Sequence, residues 1–146
     1  MSFGGWKLSG TYVYQPGPLL SWNNLFYYGN IADIANSNPT LAQWFNTANF
    51  NRLSANAPNS FQARVFPNII DGVRADRTSQ LNSNLQREFS FKERMRLLAR
   101  LDVLNVMNRS QMDVPSTDPL NTNFGKVVSQ TTAQNRFIQV QLRFRF

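Results

Sequence analysis

Apolar and polar residues alternate along residues 136–146, Arg-Phe-Ile-Gln-Val-Gln-Leu-Arg-Phe-Arg-Phe, and few structures accommodate such a stretch. Because successive side chains of a strand point to opposite faces, it predicts a strand with one apolar and one mostly polar face. The apolar face consists of Ile138, Val140, Leu142, Phe144 and Phe146. The polar face consists of Gln139, Gln141, Arg143 and Arg145, with Phe137 as its apolar exception.

Two kinds of protein contain strands of this pattern. In a soluble sandwich the apolar face packs into a core. In an outer-membrane barrel the apolar face meets lipid, and a tilted strand of about 9–11 residues crosses the bilayer. Alternation by itself favours the soluble strand, so the choice depends on the rest of the chain.

A similar strand is predicted near the start of the chain, at residues 5–15. One face carries Trp6, Leu8, Gly10, Tyr12 and Tyr14. The sequence Pro-Gly-Pro at residues 16–18 then interrupts the hydrogen-bond ladder, since proline lacks the N–H donor. The aromatic-rich piece that follows is interpreted as a continuation of this strand to residue 28 or as a loop that folds back.

Two further strands are predicted at residues 78–91 and 94–108, joined by a tight turn at residues 91–94. In the first, Arg87 interrupts a face that otherwise carries Leu81, Leu85 and Phe89. The second has a helix as its alternative, because Met, Leu, Ala and Arg are good helix formers. The period-two pattern of Met95, Leu97, Ala99, Leu101 and Val103 favours the strand.

The connections between these strands alternate between long and short. Residues 29–77 and 109–135 are predicted as loops, and residues 39–45 as a short helical turn with Asn38 as its cap. Aromatic residues inside the longer loop indicate that it packs on something. A loop of this length argues against a compact soluble domain but is ordinary for the extracellular loops of a barrel. The chain is thus predicted to be an all-β antiparallel meander of about four long amphipathic strands.

Composition excludes several classes of function. There is no Cys and no His, which excludes disulfides, thiolate metal sites and imidazole bases. The acidic residues are scattered, and no pair is placed for acid–base catalysis, so we expect no enzyme, cofactor or metal site. A net charge of +7 raises nucleic-acid binding as an alternative. Arginines on alternating strand positions fit the wall of a water-filled lumen as well, and we expect no nucleic-acid partner.

Several short motifs, taken together, resemble the C-terminal end of TonB-dependent outer-membrane receptors, most closely the Oar-like branch of soil bacteria such as acidobacteria. The motifs occupy residues 5–10, 12–17, 22–29, 44–47, 93–99, 104–108, 121–126 and 138–146. Among them, Leu-Asn-Val-Met-Asn at residues 104–108 looks like the family's Asn-Leu-Phe-Asn segment. Asn-Phe-Gly-Lys at residues 123–126 looks like its Asn-Phe-Gly-Arg segment.

This resemblance implies the C-terminal piece of a roughly 22-stranded transmembrane β-barrel that encloses an N-terminal plug. Its partners would be outer-membrane lipid, the plug and remaining barrel of a parent chain, and, through that parent, the TonB system and the barrel assembly machinery. Residues 1–30 lack the apolar segment of a signal peptide. We therefore expect a longer exported precursor located in the outer membrane of a Gram-negative type of cell, with this chain not functional alone.

The resemblance also assigns roles to three groups of residues. The barrel-assembly signal would comprise Val140, Leu142, Phe144 and Phe146. Extracellular ligand contacts would come from Trp22, Phe26, Tyr27, Tyr28, Trp44 and Phe45, with packing inside the loop as the alternative. Lumen or plug contacts would come from Arg96, Arg100, Asp102, Arg143 and Arg145, with solvation of a polar wall as the alternative.

Three functions follow for comparison. The first is uptake of a scarce solute, such as a siderophore, cobalamin or an oligosaccharide, by a TonB-dependent transporter. The second is a soluble β-rich binding or adhesion module, which predicts a monodisperse chain without detergent. The third is a basic nucleic-acid-binding domain, which predicts salt-dependent retention on a polyanion.

Overall fold

A computed structural model describes residues 2–59, 61–92, 94–131 and 135–146. The chain divides into two compact units. The sheet unit comprises Met1–Gln15, Thr78–Ser110 and Thr132–Phe146. The loop unit comprises Pro16–Arg77 and Gln111–Thr131, which are the two long connections between strands of the sheet unit.

The sheet unit is a five-stranded antiparallel sheet with the strand order β1-β2-β5-β6-β9. Its strands are β1 (Ser2–Phe3), β2 (Trp6–Gln15), β5 (Thr78–Lys92), β6 (Met95–Leu104) and β9 (Phe137–Arg145). Strands β2, β5, β6 and β9 contain 10, 15, 10 and 9 residues. The predicted all-β antiparallel meander of four long amphipathic strands is confirmed, and residues 95–104 form a strand and not the alternative helix.

The register of the sheet places apolar residues of neighbouring strands side by side. In one row Leu8 pairs with Leu85, Leu85 with Leu101, and Leu101 with Val140. The next row towards the short β5–β6 turn contains Trp6, Arg87, Ala99 and Leu142. Directly opposed residues of antiparallel strands share a face, so these rows merge into one apolar face across β2, β5, β6 and β9. We call this surface the apolar face and the opposite surface the polar face.

Strand β6 ends at Leu104, four residues before the predicted end at residue 108. Asn105 and Asn108 have φ angles of 51° and 49°, and such left-handed backbone cannot continue a strand. Asn105 is buried and its side chain accepts from the Arg109 N–H and donates to the Arg109 carbonyl. The Asn-Val-Met-Asn segment therefore terminates the strand.

The loop unit contains two small sheets and two short 3₁₀-helices. Its strands are β3 (Leu19–Ser21) paired with β4 (Ile69–Arg74), and β7 (Gln111–Met112) paired with β8 (Gln130–Thr131). The 3₁₀-helices are Ile31–Ile34 and Ser54–Asn56. No helix within the described ranges is long and apolar enough to cross a membrane.

A buried cluster of apolar side chains lies in the loop unit, in which irregular segments contribute most of the members. We call it the aromatic core. It consists of Leu20, Trp22, Leu25, Ile34, Phe45, Phe50, Phe66, Ile70, Val73 and Phe124. Trp22 stacks on Phe50 with ring centroids 5.6 Å apart, and Phe50 meets Phe124 edge to face at 5.0 Å. Such aromatic pairs add about 0.5–1.5 kcal/mol each beyond area burial.

Two sequence predictions in the loop unit are wrong. Strand β2 does not continue to residue 28: it ends at Gln15, and Leu19–Ser21 pairs with β4 in a separate sheet. Gly17 lies so close to the Ala75 carbonyl that a Cβ atom would not fit, so the segment after β2 requires glycine at this position. Residues 39–45 form bends and not a helical turn, and the nearest 3₁₀-helix is capped by Asn30.

Candidate functional site

The apolar face of the sheet is unusual, because its side chains on the outer strands β2 and β9 are exposed while most of those on β5 and β6 are half-buried. Val140 and Leu142 retain 69% and 68% of their accessible surface, and Phe144 retains 50%. Members of β2 are exposed as well, including Leu8, Tyr12 and Tyr14. Contiguous exposed apolar surface of this kind marks an interaction with another apolar phase or with a partner.

Three of the four residues predicted as an assembly signal belong to this face. Val140, Leu142 and Phe144 lie in register with Leu101, Ala99 and Leu97 of β6. Phe146 follows the last residue of β9 and is 97% exposed. The predicted spacing of two is therefore present as a row of exposed side chains along β9.

Among the residues that the structure describes, the polar face contains two ion pairs. Arg100 donates to Asp102 through Nε at 2.8 Å and through a terminal nitrogen at 2.9 Å, and the Asn84 amide donates to the same carboxylate at 2.7 Å. Arg96 donates to Glu88 at 3.1 Å across the β5–β6 pair. Side chains on this face are thus fixed by charge-assisted hydrogen bonds, which are stronger than neutral ones.

Arg143 and Arg145, also predicted to contact a lumen or plug, extend the polar face at β9. Arg143 lies opposite Leu98, and Arg145 lies opposite Arg96. Among the described residues, neither guanidinium has a carboxylate partner. The structure therefore brings Arg96, Arg143 and Arg145 together as a cationic region near the short-turn end of the polar face.

The aromatic residues predicted to contact an extracellular ligand divide into buried and accessible members. Trp22 and Phe45 are 1% and 0% exposed, so their predicted ligand contact is wrong and the packing alternative holds. Trp44 and Tyr27 are half-buried against the aromatic core, and the Trp44 indole N–H donates to the Arg74 carbonyl at 2.7 Å. Tyr28 is 71% exposed and remains accessible.

Phe26 lines a cavity of about 150 Å³ in the loop unit. The polar and charged residues that line this cavity are Asn23, Asn24, Asn51 and Asp118. The cavity is smaller than the roughly 300–1,000 Å³ of typical ligand pockets, so only part of a larger solute fits. Asn24 and Asn51 already hydrogen-bond to backbone groups of residues 53–65, which fixes the walls of the cavity.

Arginine side chains tie the segments of the loop unit together, a role that sequence reasoning missed. Arg64 donates to the carbonyls of Trp22 and Phe66 at 3.1 and 3.2 Å. Arg52 donates to the Pro119 carbonyl at 3.2 Å and lies 5.6 Å from the centre of the Phe124 ring. The contacts of Arg64 with Trp22 and of Arg52 with Pro119 join residues far apart in sequence, so no local sequence pattern predicts them.

Asp113 organises the β7–β8 pair. Its carboxylate accepts from the Ser129 hydroxyl at 2.6 Å and from the Thr131 hydroxyl at 2.7 Å. These two hydrogen bonds, first that of Ser129 and then that of Thr131, lower the pKa of Asp113 below its ordinary value. No group of three or more Asp or Glu residues in the described part of the chain is arranged to hold a metal ion.

Comparison with known proteins identifies the family. The model of the outer membrane beta barrel domain matches residues 1–139. The chain therefore belongs to the family of outer membrane beta barrel domains, which fits an antiparallel sheet with an exposed apolar face. Neither the curated proteins nor the solved structures contain a significant match.

Proposed function

We propose that the chain forms four neighbouring wall strands of a TonB-dependent outer-membrane transporter of roughly 22 strands. The observation that carries this proposal is the register of β2, β5, β6 and β9, which joins one apolar residue to the next across the whole sheet. In a barrel wall this face meets lipid, and the polar face lines the lumen. A five-stranded sheet does not close by itself, since membrane barrels need about eight strands or more.

The polar face supports a role in holding a plug inside the barrel. Arg143 and Arg145 lack carboxylate partners among the described residues, and they lie beside Arg96. An acidic segment of a plug would supply those partners. Arg100 and Asp102 already neutralise each other at 2.8 Å, so they contribute a polar wall more than a free charge.

The loop unit supports recognition of a solute outside the cell. The aromatic core gives residues 16–77 and 111–131 a fixed structure, and Tyr28, Phe26 and the small cavity remain accessible. The solute would be one too scarce or too large for diffusion through porins, such as a siderophore, cobalamin or an oligosaccharide.

The exposed side chains of β9 support a second role as the signal that directs barrel assembly. We expect deletion of Phe146 in the intact parent protein to slow assembly into the outer membrane more than it destabilises the finished barrel. Pulse-chase measurement of assembly, followed by thermal unfolding of the assembled protein, separates these effects. Unchanged assembly kinetics would contradict the signal role.

The direct test of the transporter is the DNA upstream of Met1. We expect an in-frame extension that encodes further amphipathic strands, a plug and a TonB-contacting segment. Deletion of the whole gene should then abolish growth on one class of scarce solute. Replacement of Tyr28 by Ala should reduce growth on that solute. An upstream stop codon directly before Met1, together with a monodisperse chain in detergent-free buffer, would reject the proposal.

A further inference from the structure

Arg87 is the exception on the apolar face. In the described parts of β2, β5, β6 and β9, it is the charged residue among the side chains of that face. It lies in the row of Trp6, Ala99 and Leu142, next to the row of Phe89. A charge at this position needs a physical reason, because an arginine at the centre of a bilayer is strongly unfavourable.

Two aromatic rings hold the Arg87 guanidinium in place. Its central carbon lies 4.8 Å from the centre of the Phe89 ring and 5.5 Å from that of Trp6. The two rings meet edge to face, with centroids 6.3 Å apart. Cation–π contacts of this kind stabilise the guanidinium and leave its planar N–H donors unused. Within the described residues no acceptor or carboxylate satisfies those donors.

The rows of the sheet place Arg87 towards one border of the apolar face. Aromatic side chains occur at both borders, with Trp6 and Phe89 near the short-turn end and Tyr12 and Tyr14 near the other. From the row of Phe89 to the row of Tyr14 the distance along the strands is roughly 34 Å. At a tilt of about 40° that distance corresponds to about 26 Å, close to the apolar band of an outer-membrane barrel.

Arginine beside aromatic rings at such a border matches the chemistry of a lipid headgroup. A guanidinium presents two parallel N–H donors that fit the oxygens of a phosphate. Tryptophan prefers the boundary between hydrocarbon and headgroups, where its ring is buried and its N–H is wet. The acyl chains of the same lipid would cover Leu142, which lies in this row, and Leu85, which lies in the next row of the apolar face.

We propose that Arg87, held between Trp6 and Phe89, binds the phosphate of a glycerophospholipid at the leaflet nearer the short β5–β6 turn. This inference rests on the proposed membrane location of the apolar face. The inference adds one specific lipid-binding site to an apolar face that otherwise contacts lipid non-specifically.

The experiment uses the whole chain, refolded into dodecyl maltoside micelles in phosphate-free buffer. Dioleoylphosphatidylglycerol is titrated, and native mass spectrometry counts bound lipid. The variants are Arg87→Gln, Arg87→Lys and, as matched control, Lys7→Gln, which removes one positive charge from the exposed polar face of β2. We expect Arg87→Gln to raise the apparent Kd for the lipid about tenfold or more, as loss of one charge-assisted pair predicts. Lys7→Gln should leave the Kd unchanged, and Arg87→Lys should give an intermediate value.

Two further measurements use the unaltered chain, so the proposal stays testable if Arg87→Gln does not refold. Dioleoylglycerol has the same acyl chains without the phosphate, and it should bind about tenfold more weakly than the phospholipid. Inorganic phosphate at millimolar concentration should not displace the phospholipid.

Each contrary result has a separate meaning. Equal binding of dioleoylglycerol and phospholipid, or an equal loss in Arg87→Gln and Lys7→Gln, overturns the phosphate site. Displacement by inorganic phosphate replaces the lipid site with a site for free anions. A chain that stays monodisperse without detergent and binds neither lipid would instead defeat the proposed membrane function, on which this inference depends.

Discussion

The sheet unit and the loop unit differ in where their apolar side chains are buried. In the sheet unit the backbone is regular and its hydrogen bonds follow the strand ladders, yet Val140, Leu142 and Tyr14 are exposed. In the loop unit most of the backbone is irregular, yet Trp22, Ile34 and Phe45 are almost completely buried. Buried apolar side chains are therefore concentrated in the loop unit, whereas the outer strands β2 and β9 of the sheet unit expose theirs.

This difference indicates the environment that suits each unit, which is lipid for the sheet unit and water for the loop unit. A barrel wall must satisfy its backbone through neighbouring strands, because lipid offers no hydrogen bonds, and its apolar side chains remain outside. An irregular unit in water must instead satisfy its backbone with side chains and bury a core. The loop unit does so through Asn24, Asn51 and Arg64, which bond to backbone groups, and through the aromatic core.

Truncation of the central aromatic residue should have the largest effect, and it should be confined to the loop unit. We expect Trp22→Ala to destabilise that unit by about 3–5 kcal/mol, since it removes a fully buried ring that contacts Phe45, Phe50 and Phe66. Hydrogen exchange measured segment by segment checks this. Amides of β5 and β6 should keep their protection, and Phe61→Ala, a change at a fully exposed ring, should alter neither unit. Loss of protection in β5 and β6 would show that the units do not fold separately.

A charge in the middle of the apolar face should have the next largest effect, and it should depend on the lipid. We expect Leu101→Arg to reduce the stability of the intact parent barrel in phospholipid vesicles by about 2–4 kcal/mol, because residue 101 lies in a central row of the face. Gln139→Arg is the control, since residue 139 lies opposite Asp102 on the polar face. Equilibrium unfolding in urea from vesicles measures both variants. An equal change in both would contradict the assignment of the faces.

The sheet unit could be predicted from the sequence because its physics is local. Alternation with period two gave the faces, and the observed strands Trp6–Gln15, Thr78–Lys92 and Phe137–Arg145 lie within one residue of the predicted bounds. The end of β6 was missed because it depends on the left-handed backbone of Asn105. Asparagine tolerates this conformation in turns, but the sequence does not show which asparagine adopts it.

The loop unit could not be predicted because its contacts join residues distant in sequence. Strand β4 was missed since its buried residues, Ile70 and Val73, are three apart and not two. Gly72, with φ of 85°, changes the local geometry between them. The motifs at residues 22–29 and 123–126 were recognised by likeness alone. The structure gives a physical reason for them, because Trp22, Leu25 and Phe124 are members of the aromatic core.

Two glycines with left-handed backbone, one in each unit, allow a test with a smaller expected effect. The two sites differ in the space around the residue. Gly125 and Gly4 have φ angles of 75° and 56°. A Cβ atom on Gly125 would clash with the Thr47 methyl group, whereas one on Gly4 would meet nothing within 4 Å. We expect Gly125→Ala to destabilise the loop unit by about 1–3 kcal/mol and Gly4→Ala to cost roughly 1 kcal/mol. Thermal unfolding of both variants checks the order, and equal losses would contradict the packing around Gly125.

Acidification should produce the smallest of these effects in the loop unit. The hydroxyl groups of Ser129 and Thr131 lower the pKa of Asp113, so its charged form is favoured in the folded chain. A group with a lowered folded-state pKa contributes stability above its unfolded pKa, and that contribution is lost as the pH falls through the folded value. We therefore expect the β7–β8 pair to lose hydrogen-exchange protection below about pH 4, near the ordinary pKa of aspartate. Asp113→Asn should remove this pH dependence while leaving β5 and β6 unchanged. Because Asn retains one acceptor and carries no charge, a persistent acid transition in that variant would assign the effect to another carboxylate.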